Sequence, residues 1–258
     1  MNSPLTELLI ATSKGQLKTA WELGTQGPYQ MFNDGGVEVE VGEFLYGLVR
    51  MFKPKRILET GTHMGISSSY IAMALRDNQM FGGQMPDLDP LSGRFGSTIG
   101  RGVHADSDFV TLEISESNIA ISKKLWSTVL GGCLTSYINS VRCESLNYHP
   151  TGEFDMLFLD SEPQLRFDEF VKFWPQVRPG GIILIHDLHP HLGHSGTINT
   201  DHPNEPDWPY GDPRPKLGPF ITRHEVQTMS FPTPRGLTFF QKRADNFLFS
   251  NLLQGREE

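Results

Sequence analysis

The chain has 258 residues, 38% of them hydrophobic, and carries 22 Lys and Arg against 30 Asp and Glu for a formal net charge of -8. That length suits one large domain burying roughly 70–75% of its unfolded surface, and the negative balance excludes general nucleic-acid affinity, which needs clustered Lys and Arg. No apolar run approaches the roughly 20 residues of a membrane span, no basic-then-apolar leader opens the chain, and two cysteines alone, Cys133 and Cys143, suit a reducing cytoplasm better than a disulfide scaffold.

Taken in order, Leu5, Leu8, Leu9, Leu17, Ala20 and Trp21 recur at broadly helical spacing. They predict a helical arm within residues 1–36, packing on the domain or on a second subunit of a homo-oligomer. Residues 37–258 read as the main domain. Val41, Phe44, Leu45, Leu48, Val49 and Phe52 form a helical apolar stripe that Pro54 ends, because proline fixes φ and lacks a donor. A strand with Ile57 and Leu58 follows, then a glycine turn and a helix from Ser67 to Leu75. Residues 78–108 lose apolar periodicity and read as a long loop, of the kind that in compact domains carries function or disorder. A second strand ends at Glu113, and Ser115 caps a helix from Glu116 to Leu130. Ser136 to Cys143 reads as a third strand and Phe154 to Asp160 as a fourth, apolar enough to be buried on both faces. A helix from Gln164 to Val177, a turn at Pro179-Gly180-Gly181 and a fifth strand from Ile182 to Ile185 lead to His186-Asp187. Residues 188–219 form a second long loop, and residues 226–243 two strands of a hairpin-like edge.

Strands alternating with helices imply a parallel sheet with helices on both faces. Right-handed crossovers bring every strand's C-terminal end to one edge, where ligands of such sheets bind. Glu59, Glu113, Glu144, Asp160, His186 and Asp187 all stand at strand ends and therefore face one crevice. The loop Glu59-Thr-Gly61-Thr-His-Met-Gly65-Ile-Ser67 joins the first strand to its helix. Its two glycines permit a sharp turn and a close ligand, and Ser67 and Ser68 stand at a helix start that attracts negative groups. A dinucleotide pocket prefers three glycines around a pyrophosphate. Glu59 would repel a pyrophosphate yet accept hydrogen bonds from an ammonium group, so a ligand with an amino-acid end and a nucleoside end, such as S-adenosylmethionine, fits better.

Those motifs, with Leu112-Glu113-Ile, Phe154-Asp-Met-Leu-Phe-Leu-Asp160, Pro179-Gly-Gly-Ile-Ile-Leu-Ile-His186-Asp187 and Pro232-Thr-Pro-Arg-Gly-Leu-Thr-Phe, resemble the class I S-adenosylmethionine-dependent methyltransferases. Within these the chain is most similar to the small-molecule O-methyltransferase group that includes cation-dependent members. The resemblance covers about residues 40–243. It implies an α/β, doubly wound, mostly parallel seven-stranded sheet (a Rossmann-like methyltransferase fold) with an antiparallel last strand. Carried over by position, Glu59, Gly61, Thr62, Gly65 and Ser67 would hold the methionine part of S-adenosyl-L-methionine. Glu113 would take the ribose hydroxyls, since a carboxylate can accept from a diol. Glu144 and Ser145 fall where the family contacts adenine. The segment 78–108 is longer than the usual link and is expected to cover the pocket or contact a partner, and 188–219 to close over it.

Asp160 and His186 are the expected catalytic residues, and Asp160 is counted with the cofactor contacts as well. Asp160, His186 and Asp187 also correspond to the cation ligands of metal-dependent relatives. The histidine departs from an all-oxygen Mg²⁺ set and suits Mn²⁺, Zn²⁺ or Fe²⁺ better. Alternatively, His186 is a general base. Five of nine histidines lie between 186 and 202, and His189 and His191 are taken as site lining. The favoured function is methyl transfer to a small-molecule hydroxyl, assisted in one version by a divalent cation. An N-methyltransferase, another metal-assisted enzyme on the same fold and a non-catalytic binding module stay open, with a nicotinamide dehydrogenase disfavoured by the two-glycine loop.

Overall fold

Side chains of a strand point alternately to opposite faces, so consecutive apolar residues build a sheet with two buried faces. The computed structural model describes residues 6–7, 9–10, 18–19, 30–32, 36–82, 108–162, 164–188, 226–231 and 236–242. Seven strands, β1 (Arg56–Thr60), β2 (Asp108–Glu113), β3 (Asn139–Arg142), β4 (Phe154–Leu159), β5 (Val177–His186), β6 (Gln227–Phe231) and β7 (Leu237–Gln241), lie in the order β3-β2-β1-β4-β5-β7-β6. The first five are mutually parallel, and β7 runs antiparallel to both β5 and β6. This is the doubly wound, mostly parallel sheet with an antiparallel last strand that the sequence implies.

Ile57, Phe109, Met156, Phe158, Ile182 and Leu184 point to one face, under helices α1 (Val39–Phe52), α2 (Ile66–Gly82) and α3 (Glu116–Thr128). Leu58, Val110, Leu157, Leu159, Ile183 and Ile185 point to the other, where α4 (Arg166–Phe173) contributes Phe170 and Phe173. Burial on both faces is why the central strands read as unbroken apolar runs. In α1 the buried side is Val41, Gly42, Leu45, Leu48 and Val49, and Lys53 closes the helix in the left-handed region at φ 48° with its N–H on the Val49 carbonyl. Gly42 lets α2 approach, since a Cβ there would stand 2.3 Å from the Tyr70 ring. The Tyr70 hydroxyl in turn meets Thr6 Oγ1 at 2.8 Å, and Thr6 donates to Glu43 at 2.7 Å.

Four expectations change. Helix α2 runs to Gly82, so residues 78–82 are helical and not loop. Their polarity misleads because it is satisfied by neighbours: Asn78 donates to the Val49 carbonyl at 2.9 Å, Tyr46 donates to Asp77 at 2.7 Å, and the Tyr137 hydroxyl meets Gln79. The third strand shrinks to Asn139–Arg142, because Leu130, Gly131 and Gly132 adopt positive φ and lead into a 3₁₀ segment, Val129–Ser136. Pro179-Gly180-Gly181 is not a turn but an irregularity within β5, where Phe154 and Met156 of β4 face Val177 and Ile182. Lys18–Thr19 pairs antiparallel with Gln30–Met31, so the helical reading of residues 5–23 fails there. The rest of the arm lies mostly outside the described residues. So do residues 83–107 and 189–225, which carry most of both expected lids together with His189, His191, His194 and His202, and residues 232–235 of the hairpin. Among the described residues no helix is long and apolar enough to cross a membrane.

Candidate active site

The glycine loop caps the C-terminal ends of β1 and β2, with the Gly61 and Thr62 N–H groups both donating to the Leu112 carbonyl at 3.0 and 3.1 Å. Gly61 sits at φ +82°, and a Cβ there would stand 2.2 Å from the Asp160 carbonyl oxygen, so only glycine fits this turn. Gly65 shares that left-handed backbone, at φ +81°, and carries a second constraint. Its Cβ would strike Trp126 at 2.7 Å, and the Trp126 indole N–H donates to the Gly65 carbonyl at 3.1 Å. Its glycine therefore serves helix packing, whereas Gly61 lines the crevice.

The first two strand-end acids are satisfied by neutral donors. Glu59 is fully buried and accepts from Ser67 Oγ at 2.6 Å, from Thr111 Oγ1 at 2.6 Å and from Ser68 Oγ. Burial pushes its carboxyl up to about 7, against the pull of those three hydroxyls. Glu113 accepts the His63 N–H at 2.7 Å on one oxygen and the Ile114 and Ser115 N–H groups at 2.9 Å on the other. Three backbone donors fix its orientation while it faces the cavity. His63, the loop residue between them, is at φ 46°, a conformation that few side chains adopt and that recurs at functional sites.

Across the sheet the acids are held by a guanidinium and an imidazole. Asp160 Oδ1, at the end of β4, accepts from Arg166 Nη2 at 3.1 Å and lies 2.9 Å from His186 Nδ1. Asp187, just past β5 at φ 53°, accepts from Arg166 Nη1 at 2.8 Å, and the same nitrogen reaches the His186 carbonyl at 2.6 Å. His186 is completely buried, and its Nε2 lies 2.7 Å from Glu38 Oε2. A neutral imidazole carries one N–H, so two carboxylate partners require an imidazolium or a carboxyl proton. Beneath this floor Glu169 is also buried and takes the Thr60 hydroxyl at 3.0 Å. Burial raises its carboxyl pKa, opposed by the Ser145, Ser161 and Thr60 hydroxyls and by Arg166.

A cavity of about 510 Å³ opens between these two halves, at the switch point where β1 and β4 lie side by side. Of the expected site residues, Gly61, Glu113, Glu144, Ser145, Asp160 and Asp187 line it. Thr62 and Ser67 line a smaller niche beside it, which Asp160 also borders. Glu59, Gly65 and His186 border neither and stand behind the wall. Asp160, His186 and Asp187 do converge, offering one ligand atom each within 4.8 Å of one another. The sequence reading overlooked Glu38, Ile114 and Arg166. Ile114 leaves a large apolar side chain 62% exposed at the cavity rim. Arg166 has a sequence signal, being the single Lys or Arg between Arg142 and Lys172, beside two acids that need a counter-charge.

No curated protein matches the sequence. Solved structures with the same fold include the O-methyltransferase TomG from Streptomyces achromogenes, involved in tomaymycin synthesis and solved in complex with SAM. It is 15% identical at a TM-score of 0.57, over 95% of this chain and 91% of that one. The O-methyltransferase from Bacillus cereus, in complex with SAH, is 18% identical at a TM-score of 0.58 over 94% and 92%. The SAH-bound Podospora anserina methyltransferase PaMTH1 is 18% identical at 0.56 over 94% and 89%. At the level of sequence families, the model described as methyltransferase domain matches residues 58–188, a span that runs from β1 through the Asp160, Arg166 and Asp187 cluster and takes in just over half of the chain. The chain belongs to this family of methyltransferase domains.

Proposed function

We propose that the cavity binds S-adenosylmethionine and that the enzyme methylates a hydroxyl oxygen of a small molecule. The observation that carries this reading is the charge of the wall. Glu113, Glu144, Asp160, Glu162 and Asp187 line the cavity against one guanidinium, Arg166. Such a wall suits a ligand bearing an ammonium and a sulfonium and disfavours a pyrophosphate. Glu113, its orientation set by three N–H groups, faces the cavity ready to accept from a ribose hydroxyl, and Ile114 beside it offers an apolar surface to the base. Gly61, Thr62 and Ser67 flank the methionine end, while Glu144 and Ser145 border the adenine end. Glu59 contributes by fixing Ser67, Ser68 and Thr111. TomG and the Bacillus cereus O-methyltransferase, whose structures contain SAM and SAH, share the fold.

When bound, the sulfonium supplies an activated methyl group, so that the new O–C bond forms as the S–C bond breaks. The chain has then to align the acceptor, exclude water and take the hydroxyl proton. Asp160 borders both the cavity and the niche and is the carboxylate placed to take it. His186, buried behind Asp160, acts by positioning it. Calorimetry should show S-adenosylmethionine and S-adenosylhomocysteine binding while NAD does not, and mass spectrometry should show a gain of one methyl on hydroxylated small molecules. Binding of NAD alone would overturn the cofactor, and methylation confined to amines would move the acceptor from oxygen to nitrogen. We also place the enzyme in a reducing compartment, on the ground that Cys133 and Cys143 are both free thiols.

A further inference from the structure

The acids at the ends of β4 and β5 need a positive charge between them, and the obvious candidate from the sequence is a divalent ion on Asp160, His186 and Asp187. The surroundings of those residues argue for a different cation. Arg166 rises from the first turn of α4 and is itself buried, its side chain 8% exposed. Its guanidinium donates to Asp160 Oδ1 at 3.1 Å, to Asp187 Oδ2 at 2.8 Å, to the His186 carbonyl at 2.6 Å and, through Nε, to the Ser161 carbonyl at 2.9 Å. A planar fork with fixed donors meets two carboxylates and two carbonyls at once, and so already occupies the space between the acids. The imidazole is held from both sides, with Nδ1 facing Asp160 at 2.9 Å and Nε2 facing Glu38 at 2.7 Å. A divalent ion would therefore meet a guanidinium already in place between the two carboxylates. The residues do not fit a metal.

We propose that Arg166 is the resident cation of this crevice. Its guanidinium holds the ends of β4 and β5 at a fixed separation, keeps Asp160 aimed at the cavity and makes the enzyme independent of metal. Arg166 is thus a positioning residue, and the part of the claim that concerns activity rests on the methyl-transfer reading.

The test is a Mn²⁺ titration of the full-length chain, stripped with chelator and followed by electron paramagnetic resonance, because it reads the site without any turnover. The wild-type chain is expected to take up no stoichiometric Mn²⁺ and to retain its methyl transfer in excess EDTA. Arg166→Ala, which uncovers both carboxylates, is expected to gain one Mn²⁺ site that Asp187→Asn removes. It should also lose about 100-fold in activity, the scale of a small misplacement of reacting groups, with guanidinium ion restoring part of it. One tightly bound Mn²⁺ per wild-type chain, abolished by Asp187→Asn, would overturn the proposal. That outcome is read from the wild type and Asp187→Asn alone, so the test holds if Arg166→Ala does not fold. A parallel calorimetric titration with S-adenosylmethionine separates the two readings, since absence of binding there removes the methyl-transfer function and leaves the Mn²⁺ result to decide the role of Arg166.

Discussion

The two halves of the crevice solve one problem by opposite means. On the β1–β2 side, buried acids are satisfied by neutral donors, three hydroxyls around Glu59 and three backbone N–H groups around Glu113. On the β4–β5 side, Asp160 and Asp187 are satisfied by a guanidinium and an imidazole. A carboxylate held by hydroxyls is fixed without a counter-charge, while one held by a guanidinium is fixed by an ion pair as well. The first arrangement suits a rigid cradle for a cationic ligand, and the second a carboxylate aimed from a fixed position at the reacting atoms.

The same acid-to-amide change should therefore have opposite consequences on the two sides. Asp160→Asn leaves Arg166 and His186 without one charged partner in a buried setting and should cost about 3–5 kcal/mol of stability, read by urea unfolding at pH 7. If Asp160→Asn is as stable as wild type, the charged half is not held as described. Glu59→Gln should behave differently. The native carboxyl of Glu59 titrates near 7 against an ordinary value of 4.5, so between those values the folded chain binds more protons than the unfolded one. Its contribution is fully present below about pH 4.5 and is lost as pH rises through 7, by about 3 kcal/mol in all. Unfolding at pH 5, 6, 7 and 8 should show this decline in wild type and its absence in Glu59→Gln, and parallel curves would refute the neutral-donor account.

Two smaller effects sharpen the contrast within the cradle. Glu113→Ala should weaken S-adenosylhomocysteine binding about 10–100-fold, the scale of hydrogen bonds to a charged group, and lower the unfolding midpoint as well, because three backbone N–H groups lose their acceptor. Calorimetry showing unchanged affinity would take the ribose contact away from Glu113. Ile114→Ala should cost about 1 kcal/mol of affinity, roughly fivefold, by removing apolar surface beside the base. A loss no larger than that of an exposed control such as Ile121→Ala would detach Ile114 from the site.

The succession of strands and helices along the chain and the meeting of the strands' polar ends were legible because they follow from local signals. Buried strands leave apolar runs, turns leave glycine, and parallel topology does the rest, which is why Gly61, Glu113, Asp160 and Asp187 could be placed in one crevice from their positions alone. Direction was not legible. Glu59 and Glu113 hold the same kind of position at strand ends, yet one turns behind the loop and the other faces the cavity. Only the packing of Ser67, Ser68 and Thr111 around the former decides this. Arg166 and Glu38 escaped because each sits on a helix or at its start, where a charge ordinarily means solvent, and their partners lie 20 and 148 residues away in the chain. Residues 78–82 were misjudged for a related cause, polarity that neighbouring helices absorb.

The Glu38–His186 contact has a consequence for the order in which the molecule is made. The two residues are separated by 148 positions, and at about 5–20 residues per second a ribosome would deliver the second roughly 7–30 s after the first. By the end of that interval α1, the glycine loop and β1 to β4 have been made, and only then does the carboxylate at the start of α1 gain its imidazole. The crevice is thus finished by its last parallel strand.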